Sequence, residues 1–317
     1  MENETNATVM KRVRPLGFLV ILLLAISLTT KAQTTPLAKH VVLIGLDGWA
    51  SHDFEKAHDV PNLLSLMEGG SYTMHKRSVI PSSSGVNWAT MFMGAGPEVH
   101  GHTTWNSKTP DVSPMSTNAH GLFPTIFSLV REQCPEAETG CTYEWEGIKY
   151  VIDTLSISYL KDFKEDWKSV ERNCDHIVQY IIDKKPMLFV PVFDGIDGTG
   201  HSSGWYTESY YDYLARIDVC VGRIIQALKD AGIYDDTIII VTGDHGGHEQ
   251  GHGTLAMEDM ESPFVVFGKN VKSGYLIEEP VVQYDIAATI AYILGLETPS
   301  AWRGKPVLSV FKPQRQF

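Results

Sequence analysis

Carboxylates and imidazoles gather in three short segments of this 317-residue chain. Asp47 follows the apolar run 41–46. Asp197 and His201 stand in Asp197-Gly-Thr-Gly-His201. Asp244, His245, His248 and His252 share the run DHGGHEQGH. Mixed oxygen and nitrogen donors suit Zn²⁺, with Mn²⁺ as the alternative. The glycine spacers let the backbone bend so that side chains converge. A strand-end Asp by itself more often caps a turn, and one of Asp194 and Asp197 is expected to do so. Taken together, the donors exceed what a single tetrahedral ion needs, so two divalent ions are expected. A metal pair suits in-line phosphoryl displacement, in which both the attacking and the leaving oxygen need charge compensation.

A hydroxyl-rich segment, Ser82-Ser83-Ser84-Gly-Val-Asn87, lies between the first two clusters. Serines before a helix at 87–93 serve as N-caps. A helix N-terminus also favours an anion, and a serine there can bind metal and attack phosphorus.

The elements that must position these groups alternate. Apolar runs at 41–46, 187–193, 237–242 and 263–267 read as buried strands. Helices are expected at 61–68, 123–131, 208–231 and 285–294, with Pro61 opening the first and Gly232 and Gly295 closing the last two. This pattern predicts an α/β three-layer sandwich, a mostly parallel central sheet with helices on both faces. Ligands of such sheets bind beyond the carboxyl ends of the strands, where these Asp and His residues lie.

Several motifs together resemble the type I phosphodiesterase/nucleotide pyrophosphatase branch of the alkaline phosphatase superfamily. They are Leu46-Asp47-Gly48, Ser84 followed by Asn87, Gly94-Ala-Gly-Pro-Glu-Val-His-Gly101, Asp197-x-x-Gly-His201 and Thr242-Gly-Asp-His-Gly246. The helix near 285–296 and Gly304-Lys-Pro306 resemble the family's closing helix and strand. The resemblance implies an alkaline-phosphatase-like fold and two metal sites. Asp197, His201 and His252 would hold one ion, with His248 competing for the place of His252. Asp47, Asp244 and His245 would hold the other, with Ser84 Oγ as the reacting ligand. Ser84 would be the nucleophile, with Ser83 as the alternative register, and the Asn87 amide would steady a phosphoryl oxygen. The implied activity is hydrolysis of phosphodiesters or nucleotide pyrophosphates through a phospho-Ser intermediate. The alternative is an alkaline phosphatase acting on monoesters. A sulfatase fits less well, because the C/S-x-P-x-R motif is absent.

No Arg or Lys lies between Ser84 and His102, which favours a diester. Lys149, reaching in from a loop as a substrate-binding residue, would reverse that preference. Trp49, Trp88, Trp105 and Trp205 flank the site motifs and offer aromatic walls. The expected partners are small-molecule phosphate esters. A formal net charge of -12 argues against a nucleic-acid-binding surface.

Lys11, Arg12 and Arg14 precede the apolar stretch 17–29 and the small-residue site Lys31-Ala32-Gln33, the pattern of a signal peptide. Residues 1–32 are read as that peptide, with Met10 as an alternative start, and 33–317 as a single catalytic domain. The stretch is short for a membrane span, so no stable transmembrane anchor is expected and the protein is read as periplasmic or secreted. Four cysteines permit disulfides in such a compartment with three possible connectivities left open, of which Cys134 with Cys141, flanking a Pro/Gly-containing loop, is the easiest pair to picture.

Overall fold

The computed structural model describes residues 35–164 and 166–313, so the signal-peptide reading lies outside the described residues. The strands are β1 His40–Leu46, β2 Ser71–Arg77, β3 Thr139–Tyr143, β4 Tyr159–Asp162, β5 Leu188–Phe193, β6 Thr237–Gly243, β7 Glu261–Gly268 and β8 Tyr275–Leu276. The helices are α1 Pro61–Gly69, α2 Ser84–Met93, α3 Pro97–His100, α4 Ile126–Gln133, α5 Val170–Lys184, α6 Gly195–Ser203, α7 Glu208–Asp230, α8 Met257–Met260 and α9 Asp285–Leu294. All eight strands form one sheet in the order β4-β3-β5-β1-β6-β7-β2-β8.

The centre of the sheet is parallel, β5 and β6 flanking β1. Its strands are buried on both faces. Val41 and Leu43 of β1 pack in one core with Trp88, Phe92, Phe127 and Ile290. Val42, Ile44 and Leu46 pack in the other with Leu63, Ile177, Ile217 and Ile224. Side chains alternate across a strand, so a strand between two helical layers must be apolar throughout. The three-layer α/β architecture expected from the sequence is therefore present. No helix among the described residues is long and apolar enough to cross a membrane.

β7 is the exception in the centre, antiparallel to both β6 and β2. A parallel return needs a long crossover, usually a helix. The chain between β6 and β7 is instead spent on the segment from Asp244 onward and holds only the four-residue α8. The helix at the chain's end is present as α9, but the strand expected at Gly304-Lys-Pro306 is not. The backbone there serves other elements. The amides of Arg303 and Gly304 donate to Gly94 O at the end of α2, and Lys305 N donates to Asp285 Oδ1.

The cysteine pairing also differs from expectation. Cys174 of α5 is bonded to Cys220 of α7, while Cys134 and Cys141 are free. Cys141 is turned into the core from the middle of β3, away from the surface loop it was expected to close. The bond closes a separation of 46 residues. Chain-entropy arguments give such a loop about 4 kcal/mol. Cys174→Ala is expected to lower the urea midpoint accordingly, and an unchanged midpoint would contradict this.

Candidate active site

Three adjacent strands deliver the polar cluster. Asp47 follows β1, Asp197 lies in the first turn of α6 just beyond β5, and Asp244 and His245 follow β6. Gly48 makes the close approach possible. Its φ is +70°, and a Cβ there would lie 3.0 Å from Asp197 Cα. Its amide donates to Asp244 Oδ1 at 3.1 Å. Asp47 Oδ2 accepts from the Trp88 indole at 2.8 Å.

His245 Nε2 lies 3.4 Å from Asp47 Oδ1 and 3.4 Å from Asp244 Oδ2. Asp197 Oδ2 is 3.3 Å from His201 Nε2, and its Oδ1 is 3.6 Å from His252 Nε2. The His245 and His252 rings stack with centroids 3.9 Å apart and join the two halves. Each imidazole is fixed from behind. Nδ1 of His245 faces Gly246 O, that of His252 faces Ser82 O, and that of His201 faces Gln250 O. A carbonyl only accepts, so Nδ1 carries the proton and the Nε2 lone pair is aimed at the carboxylates.

The electrostatics of the bare cluster are unfavourable. Burial, then Asp244, Asp197 and Asp194, pushes Asp47 well above the usual carboxylate range. Burial, then Asp194 and Asp244, does the same to Asp197. Burial raises Asp244 to about 6 and lowers His245 to about 4. His252 is lowered to about 3 by burial and by His245. Asp197 Oδ1 and Asp244 Oδ2 are buried with no hydrogen-bond partner. Donor atoms of Asp47, Asp244 and His245 fall within 4.8 Å of one another, as do those of Asp197, His245 and His252. Orphaned carboxylate oxygens facing neutral imidazoles are what a divalent cation would satisfy, so the residues present fit one.

Ser84 opens α2. Its Oγ is 3.1 Å from His245 Nε2 and 3.4 Å from Asp47 Oδ1. The neighbouring serines are placed differently. Ser82 Oγ donates to Thr254 O, and Ser83 Oγ is buried without a partner. A cavity of about 760 Å³ opens above Ser84, lined also by Ser83, Asp194, Asp197, His201, His252, Thr103, Thr104, Trp105 and Trp145. A Cβ on Gly85 would sit 2.2 Å from Trp105 O, so the missing side chain lets the Trp105 loop cross the start of α2.

Three expectations meet a different geometry. Asn87 faces away from the cavity, fully buried. Its Oδ1 accepts from Val79 N, and its Nδ2 contacts the carbonyls of Val79, Pro81 and Ser83. The amide braces the serine turn by cross-linking its carbonyls, of which those of Pro81 and Ser83 also accept from backbone amides. Lys149 is paired with Glu146, its ammonium 4.9 Å from the Tyr150 ring centre, and it is not among the cavity's lining residues. Of the four tryptophans, Trp49, Trp88 and Trp205 are buried and only Trp105 lines the cavity, joined there by Trp145. His248 lies off the cluster, held by Asp259 at 2.6 Å.

Sequence reasoning missed three residues around the cluster. Lys76 of β2 is fully buried, lowered to about 7 by burial. Its amine donates to Gly243 O and to Gln283, whose own amide donates to Asn87 O. This strut ties the Asp244 segment to the Ser84 helix. Nothing in the polar run of β2 signals it. Buried Glu144 accepts from Asn173 Nδ2 and from Asp194 N. Asp194 itself reaches the cavity, and its strand-end position was the available signal.

Residues 41–262 match the family model described as type I phosphodiesterase/nucleotide pyrophosphatase. A curated relative is the bis(5'-adenosyl)-triphosphatase of Mus musculus, 24% identical over 221 residues, covering 66% of this chain and 47% of that protein. The chain thus spans less than half the length of that relative. Among solved structures, human ectonucleotide pyrophosphatase/phosphodiesterase 5 superposes with a TM-score of 0.70 at 16% identity, covering 86% of this chain and 100% of the other. A 2-O GAG sulfatase superposes with a TM-score of 0.66 at 14% identity, covering 88% and 76%. The structural likenesses show the fold, and the family match over most of the chain shows more: this protein belongs to the type I phosphodiesterase/nucleotide pyrophosphatase family.

Proposed function

We propose that the chain is an exported, two-metal phosphoric ester hydrolase acting on phosphodiesters or nucleotide pyrophosphates with Ser84 as nucleophile. The observation that carries this reading is the Ser84 hydroxyl, 3.1 Å from His245 Nε2 at the floor of the cavity. Asp47, Asp244 and His245 would hold one divalent ion, and Asp197, His201 and His252 the other. Zn²⁺ suits these donors, with Mn²⁺ as the alternative. The bound ions supply Lewis-acid charge, lowering the hydroxyl pKa and offsetting charge on the reacting oxygens.

The chain's own groups do the rest. Ser84 Oγ attacks phosphorus, an O–P bond forming as one ester or anhydride O–P bond breaks, which yields a phosphoryl-Ser84 that keeps the substrate's other ester arm, together with the free alcohol or phosphate and the proton of the serine hydroxyl. Water then displaces Ser84 from phosphorus and regenerates the hydroxyl. Backbone amides at the start of α2 face the phosphoryl group, where the helix end favours negative charge. Trp105 and Trp145 wall the leaving-group side and give an apolar or aromatic ester a surface to pack on. The Cys174–Cys220 bond supports an oxidising compartment, and N-terminal sequencing of the exported protein is expected to begin at Gln33.

Among the described residues no Lys or Arg lines the cavity, which favours the singly charged diester over the nearly dianionic monoester. The zinc-loaded protein is therefore expected to hydrolyse bis-p-nitrophenyl phosphate with higher kcat/KM than p-nitrophenyl phosphate, and to lose both activities to a chelator. A monoester preference would make it a phosphomonoesterase. Chelator-resistant turnover would remove the metal reading.

A further inference from the structure

We propose that Asp194 is a charge filter, a specificity-determining carboxylate that holds the site to singly charged phosphoryl groups. This rests on the reading of the cavity as the site of phosphoester hydrolysis.

Asp194 follows β5 directly and lines the same cavity as Ser84. A carboxylate oxygen of Asp194 lies within 4.8 Å of one from Asp47 and one from Asp197. The residue stands at the N-cap of α6, yet its side chain makes no capping bond to that helix. Its place is also built from behind. Its amide donates to Glu144 Oε2 at 2.8 Å, and that carboxylate is fully buried and held by Asn173. Keeping the Glu144 carboxyl out of water beside a second acid is costly, and its burial raises it to about 7.

The consequence follows from charge balance. Two divalent ions held by the carboxylates of Asp47, Asp197 and Asp244 leave one net positive charge. A fourth carboxylate at the same cluster cancels it; Lys76 stands behind Asp244 on Gly243 O, outside the cavity lining, and among the described residues no Lys or Arg lines the cavity. The nearest basic candidate from the sequence, Lys149, is engaged with Glu146. A diester brings one negative charge to this balance and a monoester brings nearly two. The second charge is met at short range by Asp194 in a partly desolvated cavity, where like-charge repulsion is not screened as in bulk water. Asp194 therefore acts against the monoester, and against free phosphate, more strongly than against the diester.

Asp194→Asn keeps the shape and removes the charge. In the zinc-loaded protein, the ratio of monoester to diester kcat/KM is expected to rise about tenfold or more. Zinc content, measured alongside, should stay as in the parent. Binding of inorganic phosphate at pH 8, followed by calorimetry, should tighten by a similar factor, a readout that needs no turnover. An unchanged ratio and unchanged phosphate affinity with zinc retained would overturn the proposal. Loss of zinc with loss of both activities would also overturn it, making Asp194 a metal ligand. If the parent protein cleaves neither ester yet the variant binds phosphate more tightly, the filter stands and the hydrolase reading fails.

Discussion

Ser84→Ala is expected to reduce diester turnover by at least about 10⁴-fold, because removing a nucleophile that acts as one unit with its activating groups costs nearly the whole rate enhancement. The metal content should hardly change. Carboxylate and imidazole donors carry the ion-binding role, and the Ser84 hydroxyl only borders them, 3.4 Å from Asp47 and 3.1 Å from His245. Ser83→Ala is the matched control. Its hydroxyl lies one residue away, buried and without a partner, and its loss should leave turnover within a few-fold. Substantial turnover in the Ser84 variant, or collapse only in the Ser83 variant, would move the nucleophile. Incubation of the parent with the diester and rapid acid quench should add the mass of a phosphoryl group with its retained ester arm to the peptide carrying Ser84, and the alanine variant should lack it.

Stripping the divalent ions is expected to lower the thermal midpoint strongly at pH 7.5 and weakly at pH 5.5. An ion present at a thousandfold excess over its Kd stabilises by about 4 kcal/mol. The pH dependence follows from the carboxylates. Asp47, Asp197 and Asp244 are all raised above the ordinary carboxylate value, Asp244 to about 6. Without metal, the folded state keeps protons that the unfolded chain has already released, so stability falls as pH rises above the ordinary carboxylate value, for Asp244 until about 6 and for Asp47 and Asp197 likewise in direction. The imidazoles have the opposite sign. His245 and His252 are lowered to about 4 and about 3, so their contribution is complete above the ordinary histidine value and is lost as pH falls below it. At pH 7.5 both are already neutral and ready to ligate. Metal binding therefore competes chiefly with carboxylate protons, and its stabilisation grows with pH. A zinc-induced shift equal at the two pH values, or larger at pH 5.5, would show that these carboxylates are not the ligands.

Much of the scaffold was readable from local pattern. Residues 41–46, 187–193 and 237–242 are continuous apolar runs because each strand is covered on both faces. Such runs end where the chain leaves the sheet, which placed Asp47, Asp197 and Asp244 at one end of it. The helices α1, α7 and α9 were visible in their periodicity and in their Pro and Gly boundaries. What escaped had no local signature. β2 reads as SYTMHKR and β3 as TGCTY. Neither is an apolar run, and pairing partners rather than composition make them strands. The direction of β7 depended on how its connection was spent.

Within the site the division is the same. Residue types and spacing determined which donors exist and near which strand ends they stand, because ligand chemistry and strand termination are local properties. Tertiary structure decided which atoms meet. Ser84 rather than Ser82 touches the cluster because the first turn of α2 aims it there. His252 rather than His248 joins Asp197 because Ser82 O fixes one ring and Asp259 captures the other. Asn87 turns inward because its amide cross-links the carbonyls of the bent serine turn, and Asp194 reaches the cavity because Glu144 holds its backbone. Each of these contacts joins residues that are not neighbours along the relevant element. Their free energies depend on a burial and an orientation that no window of sequence contains.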